Sequence, residues 1–198
     1  MDQVSAEARE KEVYLRYLGQ LHAAIEWKLE GLGEYDLRRP LTPSGTNLLG
    51  IVKHVASVEL GYCGEVFGRP HGERLPWFEP GAEDNDDLWA TEEESSAAIL
   101  ELFRRARAHV TETIRALPLD APGRVPHWTD RDVTLRQIIT HVLVEVARHA
   151  GHVDLTRELI DGHAGLRPDL SNLPERDRAW WERYRARVEQ AAEHFREG

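Results

Sequence analysis

Cysteine occurs once in these 198 residues, at Cys63, so no internal disulfide can form, and the composition fits a reducing cytoplasm. Long hydrophobic runs are missing: nothing approaches the ~20 apolar residues that a membrane helix needs. The opening MDQVSAEAREKEVYL is polar and charged, and is expected to be neither a signal peptide nor an anchor. Positive charge is scarce as well. Lys and Arg number 25 against 35 Asp and Glu, giving a net charge of −10 with no basic stripe. That balance argues against a phosphate backbone or nucleic acid as partner. No repeat or low-complexity tract is visible. What remains is an ordinary 41% hydrophobic share, enough for one domain with a proper core.

Four helical patterns follow one another. The first runs from about Ala6 to Leu32, where Tyr14, Tyr17, Leu18, Leu21, Ile25 and Leu29 keep a 3.6-residue period and Gly31 and Gly33 stop it. A link from Glu34 to Ser44 leads to the second, from Thr46 or Asn47 to about Phe67, with Leu48, Ile51, Val52, Val55, Val58 and Tyr62 on its apolar face. His54 projects near Ile51 and Val58 and so faces at least partly inward. Gly50 and Gly61 lie within about 40° of it around the axis. Their missing side chains either leave space beside His54 or mark a close contact with another element. A loop rich in Pro, Gly and acid, from Gly68 to Ala90, carries Trp77, Phe78 and Trp89. The third helix opens on a capping-box pattern, Thr91 with Glu94, and continues to about Leu117 on Ile99, Leu102, Phe103, Ala106, Val110 and Ile114. Residues 118–133 form a second long loop that brings up His127 and Trp128. Trp77 and Trp128 are candidate pocket walls, although ordinary loop packing accounts for them too.

The fourth pattern, Thr134 to Gly162, carries the chemistry. Ile139, Val142, Val146, Ala150, Val153 and Ile160 form a stripe that wants a core. Beside it lie His141, Glu145, His149 and His152, spaced four, four and three, and therefore on one side of a helix. Imidazoles and a carboxylate bordering an apolar stripe are costly to bury unless something satisfies them, and a divalent metal would do so. Glu145 and His149 can reach one ion, with His54 on a facing helix as third donor. Three protein ligands with an open position suit a catalytic site. The spacing equally fits histidines that cap helices, bond backbone carbonyls or sit on the surface. His141 stands about 12 Å along the axis from His149, too far for easy shared ligation. His152 is a candidate base or substrate contact. Asp154 lies about 140° round from His149 and is expected to pair with Arg157. Cys63 reads as core, and His22, His71, His109, His127, His163 and His194 lack supporting context. After Pro168 the composition shifts to a charged helix bearing Trp180, Trp181, Tyr184 and Val188.

Together TPSGTNLLGIVKHVASVE and, about 80 residues later, VTLRQIITHVLVEVARHAGHVDLTRELIDG resemble the DinB-like superfamily. More narrowly they resemble its actinobacterial branch of mini-circle-type and mycothiol-dependent S-transferase proteins, over roughly residues 10–162. The resemblance implies an all-α fold, a DinB-like four-helix bundle with long crossover loops over residues 1–165. Residues 166–198 would then be an extra helical arm, packed on the bundle or against a second subunit in a homodimer. It maps divalent-metal ligands onto His54, Glu145 and His149. Zinc is the expected ion, with nickel or iron as alternatives.

The implied activity is transfer of a low-molecular-weight thiol, mycothiol in actinobacteria, to a small electrophile. Glu145 would lower the net charge of the site and His152 might shuttle the proton. Two departures from the pattern matter. Mycothiol-dependent isomerases carry a further C-terminal domain that this chain replaces with a short arm, which favours simple S-transfer over maleylpyruvate isomerisation. Bulky residues are expected after Val58-Glu59, where this chain has Leu60-Gly61-Tyr62. Other classes fit the same ligands: a metal-binding module without catalysis, a metal-dependent hydrolase, or a non-haem iron enzyme.

Overall fold

The computed structural model describes residues 3–196. Within them lie six helices: α1 (Gln3–Trp27), α2 (Glu34–Arg38), α3 (Leu48–Cys63), α4 (Ser96–Ala116), α5 (Leu135–Asp161) and α6 (Arg178–Glu193). A small antiparallel hairpin, β1 (Pro122–Arg124) with β2 (Asp132–Thr134), pairs Gly123 with Val133. The second, third and fourth helical patterns correspond to α3, α4 and α5. Contacts run α1–α5, α5–α3, α3–α4 and α4–α1, which closes a four-helix bundle. The expected all-α bundle with long crossovers is therefore present.

The helix ends follow from local hydrogen bonding. Thr134 caps α5 in a full capping box with Gln137, and Gly162 closes it in the left-handed region at φ 81°. Asn47 caps α3, its side-chain oxygen accepting from the Gly50 N–H at 2.7 Å. The start of α4 differs from expectation. Glu94 does accept from the Thr91 N–H at 2.8 Å, but it also binds the Lys53 ammonium, and the helix begins only at Ser96 on a Ser95 cap. The same side chain that would have started the helix is drawn across to α3. Two further elements, α2 and the hairpin, were not expected; the former has five residues and each strand three.

The periodic positions fill the core. Ile25, Leu48, Leu49, Leu60, Phe103, Ile114, Leu135, Ile138 and Ile139 are essentially inaccessible, each stabilising the fold by roughly 1.5–3 kcal/mol through area removed from water. Tyr17, by contrast, is exposed. Buried charges lock the helices together. Lys28 pairs with Asp154 of α5, and Arg157 donates to the Lys28 and Glu30 carbonyls at 2.6 and 2.9 Å while pairing with Asp161. The expected Asp154–Arg157 pair is thus replaced: Lys28 arrives from α1 and takes Asp154, and Arg157 turns to Asp161 one turn on. Helix α6 buries none of its residues, and Arg185 borders a cavity with Thr42, Thr46 and His152. Among the described residues no helix is long and apolar enough to cross a membrane.

Candidate metal centre

Lys53 builds the loop that frames the site. Although it is 2% exposed, its ammonium donates to the Asp86 and Trp89 carbonyls at 2.9 Å and pairs with Glu94, while lying over the Trp77 ring at 4.1 Å. Every donor of a buried cation is thereby occupied, as burial of a charge requires. The Asn47 amide donates to the Leu88 carbonyl at 3.0 Å. Gly50 completes the seat, since a Cβ there would stand 1.8 Å from the Leu88 oxygen. Of the two glycines flanking His54, Gly50 therefore marks a close backbone approach. Gly61 marks open space, because a Cβ on it would meet nothing within 4 Å.

This seat delivers Asp87 to His54, whose Nδ1 lies 2.6 Å from Asp87 Oδ2. Burial alone would push the Asp87 carboxyl up, but the hydrogen bond and charge of His54, with Lys53 behind, bring it below the ordinary carboxylate range. A carboxylate can only accept, so Nδ1 carries the proton and Nε2 presents its lone pair. Such a carboxylate–histidine pair is how proteins orient a metal-ligating imidazole. Nothing in the sequence singles Asp87 out. It is one acid among several in a loop, 33 positions from its partner, and no periodicity links the two.

Across from His54, α5 presents His149 and Glu145. The His54 and His149 rings meet at 4.7 Å, and Glu145 Oε2 lies 3.4 Å from His149 Nε2. One donor atom from each of His54, Glu145 and His149 lies within 4.8 Å of the others, the three coming from two helices. His149 Nδ1 is buried without a hydrogen-bond partner. Burial first, and then the neighbouring His54, hold its imidazole down at about 4, so the ring is neutral near pH 7. Two neutral imidazoles and one carboxylate make a donor set suited to a divalent first-row ion, and a buried nitrogen without a partner is what such an ion would satisfy. These residues could hold a metal.

The remaining sequence candidates are distributed around this point. His152 lies beside His149, ring centroids 5.3 Å apart, and shares with it a cavity of about 400 Å³ lined also by Thr46, Asn47 and Asn85. His141 stands apart from the three donors and packs edge-on against Tyr62 and Trp128 at 4.7 and 4.8 Å. Trp128 donates to the Tyr62 hydroxyl at 3.1 Å, and Trp77 donates to Ser57 at 2.9 Å, so both tryptophans are tied to α3. Cys63 is fully buried, and burial followed by the charge of Glu59 pushes its thiol well above the usual range, which removes it as a nucleophile. One pair went unnoticed in the sequence: His22 Nε2 lies 2.6 Å from Glu59 Oε1 inside the core.

A closed helical bundle with a half-buried His–Glu–His cluster between two of its helices is the architecture of the DinB-like superfamily. The family model described as Mycothiol-S-transferase matches residues 13–162, spanning α3, the seating loop and all of the α5 cluster, and the chain belongs to that family. No curated protein matches it.

Proposed function

We propose that the protein is a divalent-metal-dependent S-transferase that moves mycothiol, or a similar low-molecular-weight thiol, onto a small electrophile. The observation that carries this reading is the approach of His54, Glu145 and His149 to within 4.8 Å of one another in a chain of the mycothiol-S-transferase family. In this reading all three are ligands, to zinc by preference, with nickel or iron compatible with the same donors. When bound, the ion supplies a Lewis acid beside which a thiol loses its proton near neutral pH.

The residues of the chain do the rest. Asp87 fixes the ring of His54 and its tautomer. Glu145 offsets positive charge at the centre. His152, exposed to the cavity it shares with His149, accepts the thiol proton and returns it to solvent. The loop pinned by Lys53 shields one side from water. The small-molecule thiol and electrophile are the partners, in a cytoplasmic enzyme of negative net charge. Residues 166–198 form an arm distinct from the bundle of residues 1–165, available to a second copy of the chain.

The test is thiol transfer by the full-length protein supplied with zinc and mycothiol, before and after chelation. Loss of mycothiol consumption on chelation, with recovery on adding zinc, is the expected result. Transfer that proceeds equally in chelated protein would overturn the proposal.

A further inference from the structure

Two aromatic contacts fix the register of α3 against α5. His54 meets His149 with centroids 4.7 Å apart, and Tyr62 meets His141 at the same separation. Tyr62 lies eight residues beyond His54 and His141 eight residues before His149, so the helices run antiparallel and the second contact is about 12 Å along the seam from the first. Val58 and Gly61 occupy the α3 side of the interval. A cavity of about 680 Å³ opens on that stretch, with Val58, Gly61, Val66, Phe78, Val125 and Pro126 on its walls. Val58 is one turn past His54, so the cavity begins roughly 6 Å along the axis from a candidate ligand.

The polar groups on this cavity already have partners. The Ser57 hydroxyl donates to the Lys53 carbonyl at 2.7 Å and accepts from Trp77. The Tyr62 hydroxyl accepts from Trp128 and meets His127 Nε2 at 3.3 Å, and Arg124 is paired with Asp132 at 3.0 Å. A sugar or a carboxylate entering here would lose water and gain few hydrogen bonds, which costs free energy. A flat apolar molecule would lose nothing. The cavity beside His149 and His152 has the opposite character, with Ser44, Thr46, Asn47 and Asn85 on its walls. Cavities of about 300–1,000 Å³ with apolar walls are the usual seats of small organic ligands.

We infer that the α3–α5 cavity is the acceptor pocket and that the electrophile is a flat, apolar molecule of about two rings. The inference rests on the S-transferase reading above. With a halonitroarene as acceptor, the sulfur–carbon bond forms as the carbon–halogen bond breaks. The halide leaves with the bonding pair, and the thiol proton passes by way of His152 to water.

Gly61 provides the test. Its position borders the cavity, has open space around it and lies within a helix, so Gly61→Leu fills the pocket while favouring the helix by roughly 1 kcal/mol. Gly19→Leu, at an equally open glycine on the separate α1–α4 cavity, is the control. Full-length protein is titrated with the neutral fluorophore N-phenyl-1-naphthylamine. Saturable binding is expected in wild type and in Gly19→Leu, with affinity weakened about tenfold or more in Gly61→Leu. In transfer assays with mycothiol, Gly61→Leu should lower kcat/KM for 1-chloro-2,4-dinitrobenzene relative to iodoacetamide by a similar factor. Naphthylamine binding that is absent from wild type, or insensitive to Gly61→Leu, overturns the apolar pocket even where thiol transfer to iodoacetamide proceeds. If binding follows Gly61 while wild type transfers thiol to neither electrophile, the S-transferase reading is what fails.

Discussion

Helix α3 carries two imidazole–carboxylate contacts of the same length, and they do different work. Glu59 meets His22 at 2.6 Å in the core, where both residues are almost inaccessible. His54 meets Asp87 at 2.6 Å beside a cluster of further donors and two cavities. Positions 54 and 59 point about 140° apart around the axis, so one side chain faces α1 and the other faces α5. The chemistry of the pair does not decide its role. His22 and Glu59 are enclosed by Phe103 and the apolar faces of α1, α3 and α4, with no third ligand within reach among the described residues. His54 is half-buried, oriented from behind, and faced by His149 and Glu145. The first pair serves stability, while the second belongs to a site.

Substitutions that treat the two pairs alike should separate them. Glu59→Ala leaves His22 buried without its partner and should cost about 3 kcal/mol of stability in urea denaturation, with metal content unchanged. A loss of metal without a loss of stability would erase the distinction. His152→Ala should leave metal bound and lower the rate of thiol transfer by about a hundredfold, the scale of a lost general base. An unaltered rate would remove His152 from the mechanism.

Asp87→Asn keeps the shape of the second pair and removes its charge. Zinc affinity should fall about tenfold or more, by competition with a chromophoric chelator, while the midpoint in urea stays close to wild type. Equal affinity would reduce Asp87 to loop packing. The smallest effect is expected at Asp161. Burial raises its carboxyl, but Arg157 and His163 outweigh that and hold it at about 2. Its folded value lies below its unfolded value. The stability it contributes is therefore present above about pH 4 and is lost as pH falls toward 2. Asp161→Asn should flatten the acid limb of stability against pH in that window, and an unchanged limb would place the effect elsewhere.

Much of this was readable in the sequence, for physical reasons that differ by element. The ends of α5 follow from Thr134 with Gln137 and from Gly162, all local signals, and the stripe Ile139 to Val153 is buried as its period requires. His54, Glu145 and His149 emerged because helical spacing and a family resemblance agreed on them. Tertiary competition hid the rest. Glu94 is claimed by Lys53, which delays α4. Lys28 takes Asp154 and redirects Arg157. Asp87 reaches His54 only because Lys53, Gly50 and Asn47 seat the loop, a chain of long-range contacts with no sequence period. Gly50 and Gly61 look alike in the sequence; only the packing shows that one admits a carbonyl and the other borders a cavity.

The central claim is that His54, Glu145 and His149 share one ion, and elemental analysis of untagged protein tests it most directly. Wild type and His109→Ala should hold close to one equivalent of zinc or a similar divalent ion. His54→Ala and His149→Ala should hold almost none, with helical circular dichroism preserved in all four proteins. Full metal content in both ligand variants would contradict the account.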